Sequence, residues 1–109
     1  MHQQSCIDAC VRCAQECEQC AAACLGESDV NEMTECIRLD LDCAAICRMA
    51  AGFMSRDSRF AEAICDVCAD ICETCGTECE KHDVDHCQRC AEACHQCAEE
   101  CRSMAGAAV

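Results

Sequence analysis

The sequence predicts an all-α protein, an antiparallel up-down-up-down four-helix bundle with a thiol-lined core. Three observations carry that prediction. Proline is absent and only four of the 109 residues are glycine, so little in the chain interrupts a helix. Cysteines fall at 6, 10, 13, 17, 20 and 24, the alternating three-and-four spacing of a helix seam packed against other helices. Similar spacing returns later in the chain, and the breaks between these stretches are short, which makes neighbouring helices antiparallel. The length suits one small domain, expected over residues 1–109.

Helix one is expected over about 4–25, with Cys6, Cys10, Cys13, Cys17, Cys20 and Cys24 inward and Gly26 as its stop. Asp29 with Glu32 three residues on reads as a capping box for helix two, expected over 30–54. Its seam is Cys36, Asp40, Cys43, Cys47, Ala50 and Met54. It is poor in cysteine and richer in ordinary apolar residues such as Ile37, Leu39, Leu41, Ile46, Met49 and Phe53. Residues 55–58 break the chain, with Asp57 or Ser58 as the next cap. Helix three, over 59–81, has the seam Ala61, Cys65, Cys68, Cys72, Cys75 and Cys79. His82 and Asp83 make a tight turn, and Asp83 is the expected cap of helix four. That helix, over 84–104, carries Cys87, Cys90, Cys94, Cys97, Cys101 and Met104 inward, and the tail 105–109 is expected to fray.

Charge and composition remove several function classes. A formal net charge of −13 argues against a nucleic-acid partner, since phosphate binding needs a basic patch. No run approaches ~18 apolar residues, so no membrane span is expected. The start, Met-His-Gln-Gln-Ser-Cys, shows neither a basic region nor an apolar one, so a cytoplasmic location with reduced thiols is expected. Nineteen cysteines do not pair off within one chain. Seam neighbours hold their Cβ atoms roughly 5–6 Å apart, too far for a disulfide that needs about 3.5–4.5 Å.

The thiols themselves carry the chemistry. Sixteen form eight Cys-x-x-x-Cys pairs, and Cys36, Cys65 and Cys87 stand apart. Two thiolates one helical turn apart can clamp one ion, and facing helices add more sulfur at the same height. Soft thiolates select Cu(I), Zn(II) or iron–sulfur clusters. Zinc needs four ligands, and one or two such sites would leave most of these thiols unused. Iron–sulfur clusters favour Cys-x-x-Cys-x-x-Cys, which is absent here. Cu(I) accepts two or three sulfurs, so a column of thiolates can hold a chain of ions. Roughly one monovalent ion per thiolate leaves the core neutral, and each ion bound displaces a proton.

The stretches CVRCAQECEQC, CDVCADICETC and CQRCAEACHQCAEEC resemble the bacterial copper storage proteins, and the absence of a leader resembles their cytosolic branch. The resemblance covers nearly the whole chain. It implies a four-helix bundle that stores many Cu(I) ions along its core, and homotetramer formation. Copper chaperones or recipient cuproenzymes would then be the protein partners. Helix two, with three cysteines, departs from the pattern.

Other residues extend the candidate set. Antiparallel packing places His82, His86 and Met33 at one end and His2, Met54 and Met104 at the other. Each end could admit copper or supply further ligands; the other reading is that the methionines, Met49 among them, plug the bundle. His95 lies off the seam and is expected on the surface. Asp40 occupies a seam position, so it either ligates an ion near Cys36 or, if the helix turns slightly, points to water and leaves Leu39 inside. A milder apolar stripe (Ile7, Val11, Ala14 and Ala21, then Ile37, Leu41, Ala44 and Ala51) serves helix packing or self-association. Two other functions compete with storage. A thiol redox protein needs an exposed low-pKa cysteine, which the sequence does not single out, and a zinc or iron–sulfur protein would bind only a few ions.

Overall fold

One thiol per turn on a single helical face defines an inside, and the structure closes four such faces on one another. It is a computed structural model that describes residues 2–107, with side chains described for 3–104. Helix α1 spans His2–Leu25, a 3-10 turn follows at Val30–Met33, and then come α2 (Thr34–Ser55), α3 (Ala61–Glu80) and α4 (Asp85–Ala107). No strand occurs among the described residues. The bundle is a rod of 45 × 19 × 19 Å. Among the described residues, no helix is long and apolar enough to cross a membrane.

The junctions differ from expectation in instructive ways. Helix two does not begin at residue 30. Its first turn is the tighter 3-10 form, and Asp29 makes no side-chain cap bond, so the anticipated capping box is not formed. Gly26 follows α1 without a positive φ. The stop at the end of α2 is a Schellman motif: the Ser58 amide donates to the Phe53 carbonyl at 3.0 Å and the Asp57 amide to Met54 at 3.1 Å. The left-handed position, normally glycine, is held by Asp57 at φ 57°. Helix α3 begins at Ala61, later than expected, and the Ser58 hydroxyl accepts from the Phe60 amide just before it. Asp83 does not cap α4. Val84 precedes the first helical residue and its carbonyl accepts from the Cys87 and Gln88 amides, while Gln88 Nε2 donates to the His82 carbonyl at 2.7 Å. At the far end α4 continues to Ala107 where fraying was expected, and residues 108–109 lie outside the described part.

Two helix pairs approach more closely than the other two: α1 with α2, and α3 with α4. Small residues one position past the seam make this possible. They are Ala14 and Ala21 facing Ala44 and Ala51, and Ala69 and Gly76 facing Ala91 and Ala98, all buried. Ion pairs run along the same flanks, Arg48 to Glu18 and Arg102 to Asp70. The wider α2–α3 side is filled by larger residues, with Leu39, Ile46, Phe53, Ile64 and Ile71 partly buried. The core therefore contains little but sulfur.

Candidate metal centre

Every one of the nineteen cysteines is completely buried, and every one is a free thiol. This follows from register alone. A residue three or four positions beyond a buried one returns to the same face, and four such faces meet at the axis. The small cysteine side chain lets the helices close enough for thiols of different helices to touch.

The sulfurs line the bundle axis as a file, in contact with one another over much of its length. Near the middle, Cys13 lies 3.7 Å from both Cys43 and Cys94, and Cys17 lies 3.7 Å from Cys94. Towards the end holding the α1–α2 and α3–α4 connections, Cys90 reaches Cys17 at 3.6 Å, and Cys36 meets Cys79 at 3.5 Å. In the other direction Cys43 and Cys47 each approach Cys72 at 3.5 Å, Cys97 lies 3.6 Å from Cys10, and Cys101 lies 3.7 Å from both Cys10 and Cys6. Four-sulfur groups compact enough to surround one ion follow one another and share members. Cys13 belongs both to the group with Cys17, Cys43 and Cys94 and to the group with Cys47, Cys72 and Cys97.

Asp40 interrupts the file on α2. It is fully buried, while Leu39 is only partly so, and the rotated alternative for this helix is excluded. Its Oδ1 accepts from the thiols of Cys75, Cys90 and Cys79 at 3.2, 3.3 and 3.5 Å, and its Oδ2 from Cys36 at 3.8 Å. Burial pushes its carboxyl up to about 10, so it is protonated in the empty bundle at neutral pH.

The two ends differ. At the turn end His86 closes the file, with Nδ1 at 3.5 Å from Cys20, 3.6 Å from Cys87 and 4.0 Å from Cys24. Its Nε2 faces Glu27 Oε2 at 3.1 Å. Burial pushes the Cys24 thiol up to about 11 and raises Cys87 as well. His82 does not join this group; its Nε2 pairs with Glu78 at 3.1 Å. Met33 is buried beside it and lines a shallow groove with Glu27, Glu32, His82 and Val84. At the opposite end α2 contributes Ala50 and Met54 in place of thiols. Met54 is buried there, its carbonyl accepts from Gln3 Nε2 at 2.7 Å, and Met104 packs partly buried against the core. The side chain of His2 lies outside the described part.

Two participants escape sequence reasoning. Glu27 sits in a turn 59 residues from His86, and no local pattern links them. His95 is on the surface side as expected, but its ring lies against Gly76, where a Cβ would meet it at 2.8 Å, and its Nε2 meets Glu80 at 2.8 Å. A glycine within α3 (against helix propensity) was the one signal for that close approach.

Residues 1–106 match the sequence model of a family described as copper storage protein. The chain is 54% identical to the Cu(I)-bound copper storage protein BsCsp3 of Bacillus subtilis, whose structure it matches with a TM-score of 0.92, covering 96% of this chain and 99% of that one. It is 40% identical to a cytosolic copper storage protein from Streptomyces lividans, solved during copper loading with five coppers. The TM-score there is 0.93, over 96% of this chain and 92% of the other. It is also 55% identical over 70 residues to the cysteine-rich protein YhjQ of Bacillus subtilis, a stretch of 64% of this chain and 65% of that protein's length.

Proposed function

The chain belongs to the copper storage protein family, and from that membership we propose that it is a store of Cu(I), not an enzyme, loading many ions along the bundle axis. One observation carries the reading: all nineteen thiols are buried along the bundle axis, and four-sulfur groups there overlap across helices. A catalytic ion needs one such group and an open position. A file of overlapping groups suits ions that share ligands, at roughly one Cu(I) per thiolate, so that the loaded core is neutral. Cys6, Cys10, Cys13, Cys17, Cys20, Cys24, Cys36, Cys43, Cys47, Cys65, Cys68, Cys72, Cys75, Cys79, Cys87, Cys90, Cys94, Cys97 and Cys101 are the ligands in this reading.

Copper enters at the turn end, where His86 stands between the file and solvent and His82 and Met33 border the adjoining groove. Met54 plugs the opposite end, with Met104 beside it. Asp40 bridges the file where α2 lacks a thiol. The protein acts in the cytosol, as its Streptomyces relative is described, and exchanges copper with chaperones or recipient cuproenzymes. The apolar α2–α3 side, with Met49 and Val67 about half exposed, supports self-association into a homotetramer. The redox alternative has no exposed thiol to act through.

The test is an anaerobic Cu(I) titration of the reduced protein against a coloured competing chelator. Uptake near one ion per thiol, with the chelator outcompeted until the end, supports storage. Saturation after one to three ions overturns it.

A further inference from the structure

The group at the turn end has a geometry that the storage function does not require. Cys20, Cys24, Cys87 and the His86 ring stand at the corners of a tetrahedron, and all six edges are short and nearly equal. The sulfur–sulfur edges are 3.7, 3.9 and 3.9 Å, and the nitrogen–sulfur edges are 3.5, 3.6 and 4.0 Å. The centre of such a figure lies about 2.3 Å from each corner, against zinc–sulfur bonds of about 2.3 Å and zinc–nitrogen bonds of about 2.0–2.1 Å. Three thiolates and one imidazole are also a recurrent closed ligand set for zinc.

Two further observations point the same way. Glu27 Oε2 lies 3.1 Å from His86 Nε2, so a proton held on Nε2 leaves the Nδ1 lone pair free for an ion. A carboxylate behind the ligating histidine is the usual support of a zinc site. Charge then distinguishes this group from those deeper in the file. A divalent ion bound by four thiolates carries a net −2 into a core without cations, which is costly. Here the neutral imidazole reduces this to −1, beside solvent, because His86 and Glu27 are partly exposed.

We propose that the reduced, copper-free protein binds one divalent zinc ion at Cys20, Cys24, Cys87 and His86, capping the file at its turn end. Binding one Zn(II) releases three protons, one from each thiol, and no electron moves. Cu(I) that later fills this end releases the zinc. The inference rests on the four-donor geometry and not on the storage reading, so either can fail alone.

The experiment titrates the reduced full-length protein anaerobically with Zn(II) against a chelating indicator, and in parallel with Co(II) as a spectroscopic stand-in. The expected result is one tight equivalent per chain, with tetrahedral Co(II) bands and sulfur-to-cobalt charge transfer. His86→Ala should weaken zinc at least tenfold, and His86→Cys should restore tight binding with a spectrum shifted to four sulfurs. Circular dichroism checks that each variant keeps its helices. No tight zinc in the natural protein overturns the proposal. So does zinc spread over several equivalents, or tight binding unchanged in His86→Ala. A Cu(I) titration of the same preparation shows separately whether storage holds.

Discussion

The Oδ1 of Asp40 lies 3.2 Å from the Sγ of Cys75, and the thiol donates to it. Cys79 of the same helix and Cys90 of α4 donate to the same oxygen, so one carboxyl group of α2 gathers thiols from two other helices. Those donors favour the carboxylate, but complete burial outweighs them and keeps the carboxyl group neutral in the absence of copper, which makes the empty bundle sensitive to alkali.

The direction of that sensitivity follows from the raised carboxyl, at about 10 in the fold against 3.8 ordinarily. Below pH 4 both folded and unfolded chains hold the proton, and Asp40 costs nothing. Above that the unfolded chain ionises and the folded one does not, so stability falls steadily until about pH 10. Between pH 4 and 7 alone this amounts to roughly 4 kcal/mol as an upper bound. Thermal melts of the reduced metal-free protein should therefore drop from pH 5 to pH 9, and Asp40→Asn should flatten that slope. Equal slopes in the two proteins would contradict the account.

Asp40→Ala tests the same residue as a ligand. The expected outcome is a loss of copper capacity or of affinity in the region of Cys36, read by chelator competition. An unchanged titration would remove Asp40 from the ligand set.

Thiols shared between groups should matter more than terminal ones. Cys13 belongs to two four-sulfur groups in the middle of the file. Cys13→Ala should therefore lower capacity by more than one copper ion per chain, as measured by metal analysis of the loaded protein. A loss of one ion or none would mean that the groups do not share ligands.

Asp57 holds the left-handed position of the α2–α3 turn. Glycine adopts that conformation without the Cβ penalty, so Asp57→Gly should stabilise the protein by about 1 kcal/mol, a rise of several degrees in Tm. A fall in Tm would show that the aspartate side chain contributes more than the strain it carries.

The inward faces were legible because a three-and-four spacing leaves one choice of inside, and an unusual residue marked it. Asp40 was legible by register for the same reason, though only the packing of α2 decided between core and solvent. What escaped depends on approach between distant segments. The capping motifs at Asp29 and Asp83 were plausible locally, but the short connections set their own geometry. The first relaxes into a 3-10 turn, and the second passes the cap position to Val84. Glu27 behind His86 and His95 over Gly76 arise where helix ends or flanks meet, which periodicity along one helix does not encode.

The central claim is that the thiols form one continuous copper-holding file. Its most direct test is an anomalous difference map at the copper edge from crystals of the fully loaded protein. The account predicts a line of copper sites running along the bundle axis from Cys24 and His86 to Cys6, each against two or three sulfurs. Copper confined to one or two isolated sites, or bound outside the bundle with the central sulfurs unoccupied, would contradict it.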